Sequence, residues 1–241
     1  MIYFLIAVLS VAAGLIQATT GFGGPMILML VLPYFFSMIT APALAASIAM
    51  GASIVLAWNF RKQIEWDIAL FPTAVYTAFS MVAVQFAKKM DLDLLTLIFG
   101  IFLIILSAYY LFLSKRAPFQ ANWKSASICA AISGITVGLF GIGGPLMAIY
   151  FVSASRKKEG YVGNLQFMFA SANVINMYLR IRNEIYTMDL IPFTLIGLVC
   201  IMVGKSIGLR ILDKLDTERI KTMVYAFVGI TGVVSVLQNL F

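Results

Sequence analysis

Two glycine-rich motifs are the residues of this sequence best suited to form a ligand site. Gly21-Phe22-Gly23-Gly24-Pro25 recurs 120 residues later as Gly141-Ile142-Gly143-Gly144-Pro145, half the length of the 241-residue chain. Each motif interrupts an apolar stretch that is too long to be one helix. Glycine permits the conformations and close approaches that such a break requires, and proline suits the first position of a new helix. Each motif is therefore predicted to end one helix and begin a short arm.

The predicted ligand of two such arms is an anion. A helix N-terminus carries roughly half a positive charge and free N–H donors, so two converging arms offer about one positive charge. The candidate ligand residues are Gly21, Gly23, Gly24 and Pro25 in the first motif and Gly141, Gly143, Gly144 and Pro145 in the second. The alternative is that these glycines only let helices pack closely, the role predicted for Gly134-x-x-x-Gly138 and Gly204-x-x-x-Gly208.

Polar residues within apolar runs supply further candidate ligands. They are Gln17, Thr19, Thr20, Ser53, Asn173, Asn176 and Lys205. The alternative for the first three is that they satisfy the backbone of the broken helix. Ser53 falls on Asn173 at the offset of 120, and Asn173 shares a helix face with Asn176. Snorkelling to the membrane interface is favoured for Lys205 over attraction of substrate.

Composition places the chain in the membrane. Hydrophobic residues make up 62% and charged residues 11% of the chain, and the mean hydropathy is +0.99. This excludes a soluble enzyme, a nucleic-acid binder and a sizeable extramembrane domain. The net charge of +7 is spread over the loops, as is usual at membrane flanks. With no histidine, two lone cysteines and every carboxylate in loops or at span ends, no metal site, cofactor or enzymatic activity is expected.

Eight apolar runs are predicted to span the membrane. They are Ile2–Thr20, Pro42–Phe60, Ile68–Ala87, Leu92–Leu113, Ser125–Phe140, Val162–Leu179, Leu190–Leu209 and Thr217–Leu240. Met1–Thr20 lacks a positively charged start, so it is predicted to be a retained helix and not a signal peptide. The arms Pro25–Phe36 and Pro145–Ala154 are too short to cross the hydrocarbon core of about 30 Å, so they are expected to be re-entrant.

The recurring motif predicts an all-α membrane protein built from two four-helix repeats. Residues 1–120 and 121–241 would form these repeats within one integral membrane domain. The same offset aligns Pro72 with Pro192. With four crossings each, the repeats are expected to share one orientation. The loops would then carry 7 Lys and Arg on the side of the termini and 9 on the other, a slight preference for both termini outside.

The motif also resembles a known family. Its position in both halves, and the basic turn Arg61-Lys62 followed by Trp66-Asp67, resemble the sulfite exporter TauE/SafE family of membrane permeases. Arg61 and Arg180 themselves are interpreted as interface anchors. The resemblance covers essentially the whole chain and implies a bacterial-type inner-membrane carrier of sulfite, sulfonates or related organic anions. Many members have a third small residue where this chain has Pro25 and Pro145, which removes one potential N–H donor from each arm.

The function hypothesis is therefore a secondary transporter, a permease or exporter of a small sulfur-containing anion. Its expected partners are the anion, the lipid bilayer, a coupling ion (H⁺ or Na⁺) and other copies of itself in a homo-oligomer, with no nucleic acid. The expected location is the cell membrane. Alternatives are an anion channel-like pore, a non-transporting scaffold subunit and an intramembrane enzyme, for which the sequence lacks the nucleophile–base pairs.

Overall fold

A computed structural model describes residues 2–113, 120–211 and 217–240, and these residues form helices without any strand. Ten α-helices occur in the described residues: α1 Ile2–Thr20, α2 Gly24–Met29, α3 Thr40–Asn59, α4 Trp66–Ala87, α5 Leu92–Ala108, α6 Trp123–Phe140, α7 Gly144–Ala154, α8 Lys158–Arg182, α9 Ile191–Ile211 and α10 Thr217–Leu240. Among the described residues, segments of α3, α4, α5, α6 and α9 are long and apolar enough to cross a membrane. The all-α class is thus confirmed.

Local capping determines where several of these helices begin. The Asp91 carboxylate accepts hydrogen bonds from the N–H groups of Asp93 and Leu94 at the start of α5. At the start of α6, Asn122 and Ser125 form a reciprocal capping box. These caps satisfy N–H groups that have no partner within the helix. They explain why the predicted spans and the observed helices begin within a few residues of each other.

Helices α1 and α9 pack closely and run parallel. Near their starts, the rings of Tyr3 and Phe193 stack with centroids 4.7 Å apart. Near their ends, a Cβ atom placed on Gly208 would lie 2.8 Å from the Cβ atom of Ala18. Between these points, a Cβ atom on Gly204 would lie 2.0 Å from the carbonyl oxygen of Val11. Any larger side chain at Gly204 would therefore separate the two helices.

Helices α4 and α6 pack in the same way. A Cβ atom on Gly134 would lie 2.5 Å from the carbonyl oxygen of Tyr76, and one on Gly138 would lie 2.5 Å from the Cβ atom of Ala83. The contacts move from Tyr76 to Ala83 in α4 as they move from Gly134 to Gly138 in α6, so these two helices also run parallel. The close-packing role predicted for Gly134, Gly138, Gly204 and Gly208 is confirmed.

Helices α3 and α8, which are equivalent in the two halves, run antiparallel. A Cβ atom on Gly163, near the start of α8, would lie 3.2 Å from the carbonyl oxygen of Phe60, just past α3. At the opposite ends, Arg180 donates a hydrogen bond to the carbonyl oxygen of Pro42. Helices α5 and α10 are antiparallel too, because Ser107 bonds to the carbonyl of Tyr225 while Gly100 contacts Gly232.

The path of the first arm explains why the equivalent helices α3 and α8 run in opposite directions. After Gly24, the chain runs back along α1, and the ring of Phe36 lies 5.4 Å from that of Phe193, which also stacks on Tyr3 at the start of α1. Helix α3 then runs parallel to α9 and α1, since Ser47 bonds to Thr194 and Gly51 contacts Leu198. The re-entrant arm expected from the sequence is not confirmed. From α3 to α8 the chain reverses direction five times, and this odd number makes the two helices antiparallel.

Two sequence-based expectations are corrected by this packing. The halves do not share one orientation, because α3 and α8 run in opposite directions. The alignment of Pro72 with Pro192 also fails. Gly14 in α1 and Gly134 in α6 are 120 residues apart. The residues they contact, Ile201 in α9 and Tyr76 in α4, are 125 residues apart. The second half therefore has five more residues than the first before this contact. Pro72 accordingly lies inside α4, whereas Pro192 is the second residue of α9.

Candidate functional site

The first glycine of each motif ends a helix. Gly21 and Gly141 have φ angles of 80° and 72°, in the left-handed region that residues with a side chain seldom adopt. Their N–H groups each donate a 2.9 Å hydrogen bond, to the carbonyl oxygens of Gln17 and Val137 respectively. This is the cap by which helices commonly end at glycine. The structure thus gives Gly21 and Gly141 a well-defined role in forming the break.

The last two residues of each motif begin a new helix of unequal length. Gly24-Pro25 opens α2, which has 6 residues, and Gly144-Pro145 opens α7, which has 11. The chain after α2 continues through a 3-10 turn over Leu32–Tyr34. The dipole of a helix grows as its peptide units align, so α7 offers a stronger positive end than α2. The sequence predicted two equal arms.

The two motifs contact each other at the centre of the fold. A Cβ atom placed on Gly144 would lie 2.7 Å from the Cβ atom of Phe22 and 3.1 Å from its ring. Phe22 belongs to the first motif and Gly144 to the second. The two helix breaks, although 120 residues apart in sequence, therefore form one structural element.

A cavity lies where the motifs meet. Its water-accessible volume is about 30 Å³, room for roughly two water molecules. Its lining comes from both motifs and from α1, α3, α4, α6 and α8: Gln17, Phe22, Gly23, Pro25, Met26, Ala49, Ser53, Tyr76, Val137, Gly141, Ile142, Gly143, Gly144, Pro145, Phe169 and Asn173. None of these described residues carries a formal charge, so polarity comes from neutral groups alone.

The structure brings nine of the predicted site residues to this cavity. They are Gln17, Gly23, Pro25, Ser53, Gly141, Gly143, Gly144, Pro145 and Asn173. Ser53 and Asn173, which the sequence pairs at the offset of 120, line it from α3 and α8. Their polar groups therefore face the same space from equivalent helices.

Four predicted site residues lie elsewhere. Gly21 caps α1, and its carbonyl accepts a 2.6 Å hydrogen bond from Gln166. Gly24 contacts the Gln17 side chain behind the cavity wall. Asn176 accepts a hydrogen bond from Ser80 and so joins α8 to α4. Lys205 does not line the cavity; the residue is 6% exposed and its backbone N lies near Gly14 of α1, and snorkelling of its ammonium stays a prediction. The side chains of Thr19 and Thr20 lie outside the described part of the structure.

Tyr76 is a cavity residue that sequence reasoning missed. It is 1% exposed and lines the cavity from α4, and its hydroxyl has no hydrogen-bond partner among the described residues. One signal was present in the sequence. Thr73, Tyr76, Thr77 and Ser80 follow a spacing of three or four residues, which places a polar stripe on one face of an otherwise apolar helix.

Arg180 is a second residue whose position was missed. It was interpreted as an interface anchor, but it is 2% exposed and lies in the fold interior. Its guanidinium donates hydrogen bonds to the carbonyl oxygens of Pro42 (3.2 Å), Val137 (3.3 Å) and Gly138 (3.3 Å). The carbonyls of Val137 and Gly138 belong to the last turn of α6, where the helix dipole is negative, and the Val137 carbonyl accepts the Gly141 N–H as well. Arg180 therefore stabilises the helix end from which the second motif departs.

The chain is similar to known proteins over nearly its whole length. The model of the family described as "Sulfite exporter TauE/SafE" matches residues 6–235. A relative from Methanocaldococcus jannaschii, named "Probable membrane transporter protein", is 23% identical, and the alignment covers 97% of this chain and 95% of the relative. No solved structure matches.

Proposed function

The chain belongs to the sulfite exporter TauE/SafE family, and from this premise we propose that it is a secondary transporter of a small anion. The anion would bind in the cavity between the two glycine motifs. The observation that carries this proposal is the contact of Phe22 with Gly144, because it brings two helix breaks and their polar groups around one buried space. Membership of this family and the apolar helices support a multi-pass membrane protein.

The chemistry of the lining favours an anion over a cation. Hydrogen-bond donors reach the cavity from Gln17, Ser53, Tyr76 and Asn173, and the N-terminus of α7 lies beside it. No carboxylate lines it among the described residues. Oriented neutral donors and a helix N-terminus form a favourable environment for negative charge. The family description suggests sulfite as the substrate, and we propose sulfite, a sulfonate or a related sulfur-containing anion.

The arrangement of helices favours a carrier. Inverted halves with binding residues at interrupted helices between them are typical of secondary transporters, in which one part moves against the other around a fixed site. The architecture we propose has two inverted halves, residues 1–120 and 121–241. Because α2 and α7 each return along the preceding helix, each half would contain five segments of alternating direction, of which the 6-residue α2 and the 11-residue α7 are too short to cross the hydrocarbon core as helices.

The distribution of basic residues then orients the protein. One face holds the end of α3 and the start of α8, joined where the Glu65 backbone and carboxylate bond to Asn164. The described helix ends and turns of this face carry Arg61, Lys62, Lys124, Arg156, Lys157, Lys158, Arg210, Arg219 and Lys221. The opposite turns carry Lys88, Lys89 and Arg182. By the positive-inside rule, we propose that the first face is cytoplasmic and that both termini lie outside.

Flux measurements in reconstituted vesicles test the proposed activity. Uptake of sulfite or methanesulfonate that saturates with concentration and follows an imposed H⁺ or Na⁺ gradient would support a carrier. Conductance without saturation would indicate a channel-like pore. Vesicles without anion flux, from protein that is folded by circular dichroism, would contradict transport and favour a scaffold subunit.

A further inference from the structure

We propose that the Tyr76 hydroxyl donates a hydrogen bond to the anion, which binds beside the second glycine motif. This inference rests on the proposed transport function and identifies a ligand residue within its site. It also makes the site one-sided, although the sequence repeats the glycine motif symmetrically.

The position of the hydroxyl carries the first step. A Cβ atom placed on Gly143 would lie 2.5 Å from the Tyr76 hydroxyl oxygen, so the hydroxyl lies directly against the second motif. It is fully buried, lines the cavity and has no hydrogen-bond partner among the described residues. A buried hydroxyl without a partner is destabilising. A ligand oxygen in the cavity would supply the missing acceptor.

A second polar atom faces the same space. The Oε1 atom of Gln17 is buried and has no hydrogen-bond partner among the described residues, and Gln17 lines the cavity from α1. A side-chain amide can present its nitrogen or its oxygen by rotating about its last bond. Gln17 and Tyr76 therefore hold two adjustable polar groups at one cavity, as expected for a site that binds a polar ligand.

The electrostatic surroundings of Tyr76 favour negative charge. Among the described groups, Arg180 is the charged residue that acts electrostatically on Tyr76. Its guanidinium neutralises the carbonyl end of α6 through Val137 and Gly138. An anion beside Tyr76 would thus meet the positive end of α7 without facing the bare negative end of α6.

The first motif lacks an equivalent hydroxyl. Helix packing makes Ile201 the counterpart of Tyr76, because Gly14 contacts Ile201 as Gly134 contacts Tyr76. The Cδ1 atom of Ile201 lies 3.6 Å from a Cβ atom placed on Gly24. An apolar group thus occupies the place on α9 that corresponds to Tyr76 on α4. The hydroxyl that does approach the first motif is that of Tyr161 in α8, 3.1 Å from a Cβ atom placed on Gly21, and Tyr161 does not line the cavity.

The test compares Tyr76→Phe with Tyr225→Phe. Both tyrosines are buried and both hydroxyls lack a described partner, but Tyr225 does not line the cavity. The measurements are the melting temperature of purified protein without ligand and the apparent Kd for sulfite and methanesulfonate from ligand-induced shifts. Tyr76→Phe is expected to keep or raise the melting temperature and to raise the Kd at least tenfold. Tyr225→Phe is expected to keep the wild-type Kd.

Three outcomes distinguish a failure of the role proposed for Tyr76 from a failure of the proposed transport function. Equal affinity of Tyr76→Phe and wild type would overturn the role of Tyr76 and leave the proposed function intact. A Tyr76→Phe protein that melts lower or does not fold would also overturn it, because the hydroxyl would then have a structural partner. A wild-type protein that neither responds to these anions nor transports them would contradict the proposed function itself.

Discussion

A Cβ atom on Gly144 would lie 2.7 Å from the Cβ atom of Phe22, whereas the atom nearest to a Cβ atom on Gly24 would be the Oε1 atom of Gln17, at 2.5 Å. The two glycines occupy the same place in the repeated motif, but their surroundings differ. The Cβ atom of Phe22 is fixed by its backbone, and the Gln17 amide can rotate away. The consequences of substitution should therefore differ as well.

Gly144→Ala is expected to impair the protein far more than Gly24→Ala. Forcing a methyl group against Phe22 should cost about 1–3 kcal/mol of stability and displace the start of α7 from the cavity. Gly24→Ala should keep the fold and most of the anion response. Melting temperature and anion-induced stabilisation of both variants provide the check. Equal loss in the two would indicate that the motifs act symmetrically.

Arg180→Gln is expected to destabilise the fold by about 3 kcal/mol, because a hydrogen bond to a charged group contributes about 1.5–3 kcal/mol and three carbonyls lose a charged donor. Arg182→Gln is the matched control, since Arg182 lies two residues away and is exposed. Thermal unfolding in detergent measures both. If Arg180→Gln unfolds at the wild-type temperature, the guanidinium does not stabilise the end of α6.

Lys205→Met should leave both the anion Kd and the thermal stability nearly unchanged. Lys205 does not line the cavity. An ammonium that snorkels to the membrane interface keeps its contact with water, so methionine replaces only the apolar stem of the side chain. Binding and melting curves test both parts. A weakened affinity would instead return Lys205 to the substrate site.

Single cysteines at Lys62, Lys157 and Lys89 test the inverted orientation. In a protein without Cys129 and Cys200, positions 62 and 157 should both be shielded from a membrane-impermeant thiol reagent in intact cells. Position 89 should react, because it lies on the opposite face. Labelling after permeabilisation shows that each cysteine is reactive. Opposite labelling of positions 62 and 157 would restore the eight-crossing topology with parallel halves.

The sequence predicts the helices well because their limits depend on neighbouring residues. Charged turns, the caps at Asp91 and Asn122 and the glycines at 21 and 141 each determine a boundary within one or two turns. The cavity residues at the motifs, and the pair Ser53 and Asn173, are predictable for a second reason. They recur at the fixed offset of 120 residues.

What the sequence does not reveal is the direction of the chain after each break. A segment such as Pro25–Phe36 can run from the break toward either face of the membrane. The contact of Phe36 with Phe193 shows that it runs toward the face where α1 begins. Tyr76 and Arg180 were missed because their roles depend on helices distant in sequence. Neither residue lies in the repeated motif, so the repeat gives no indication of them.

The pairing of α1 with α9 also has a consequence for biosynthesis. Gly14 meets its partner Ile201 only after nearly two hundred further residues have been made, which takes about 10–40 s at 5–20 residues per second. During this time the glycine face of α1 lies against lipid or against whatever insertion factor holds it. Helix α1 is thus made long before it finds its final neighbour, and a ribosome that stalls before α9 leaves a product in which α1 lacks this partner and is open to membrane proteases.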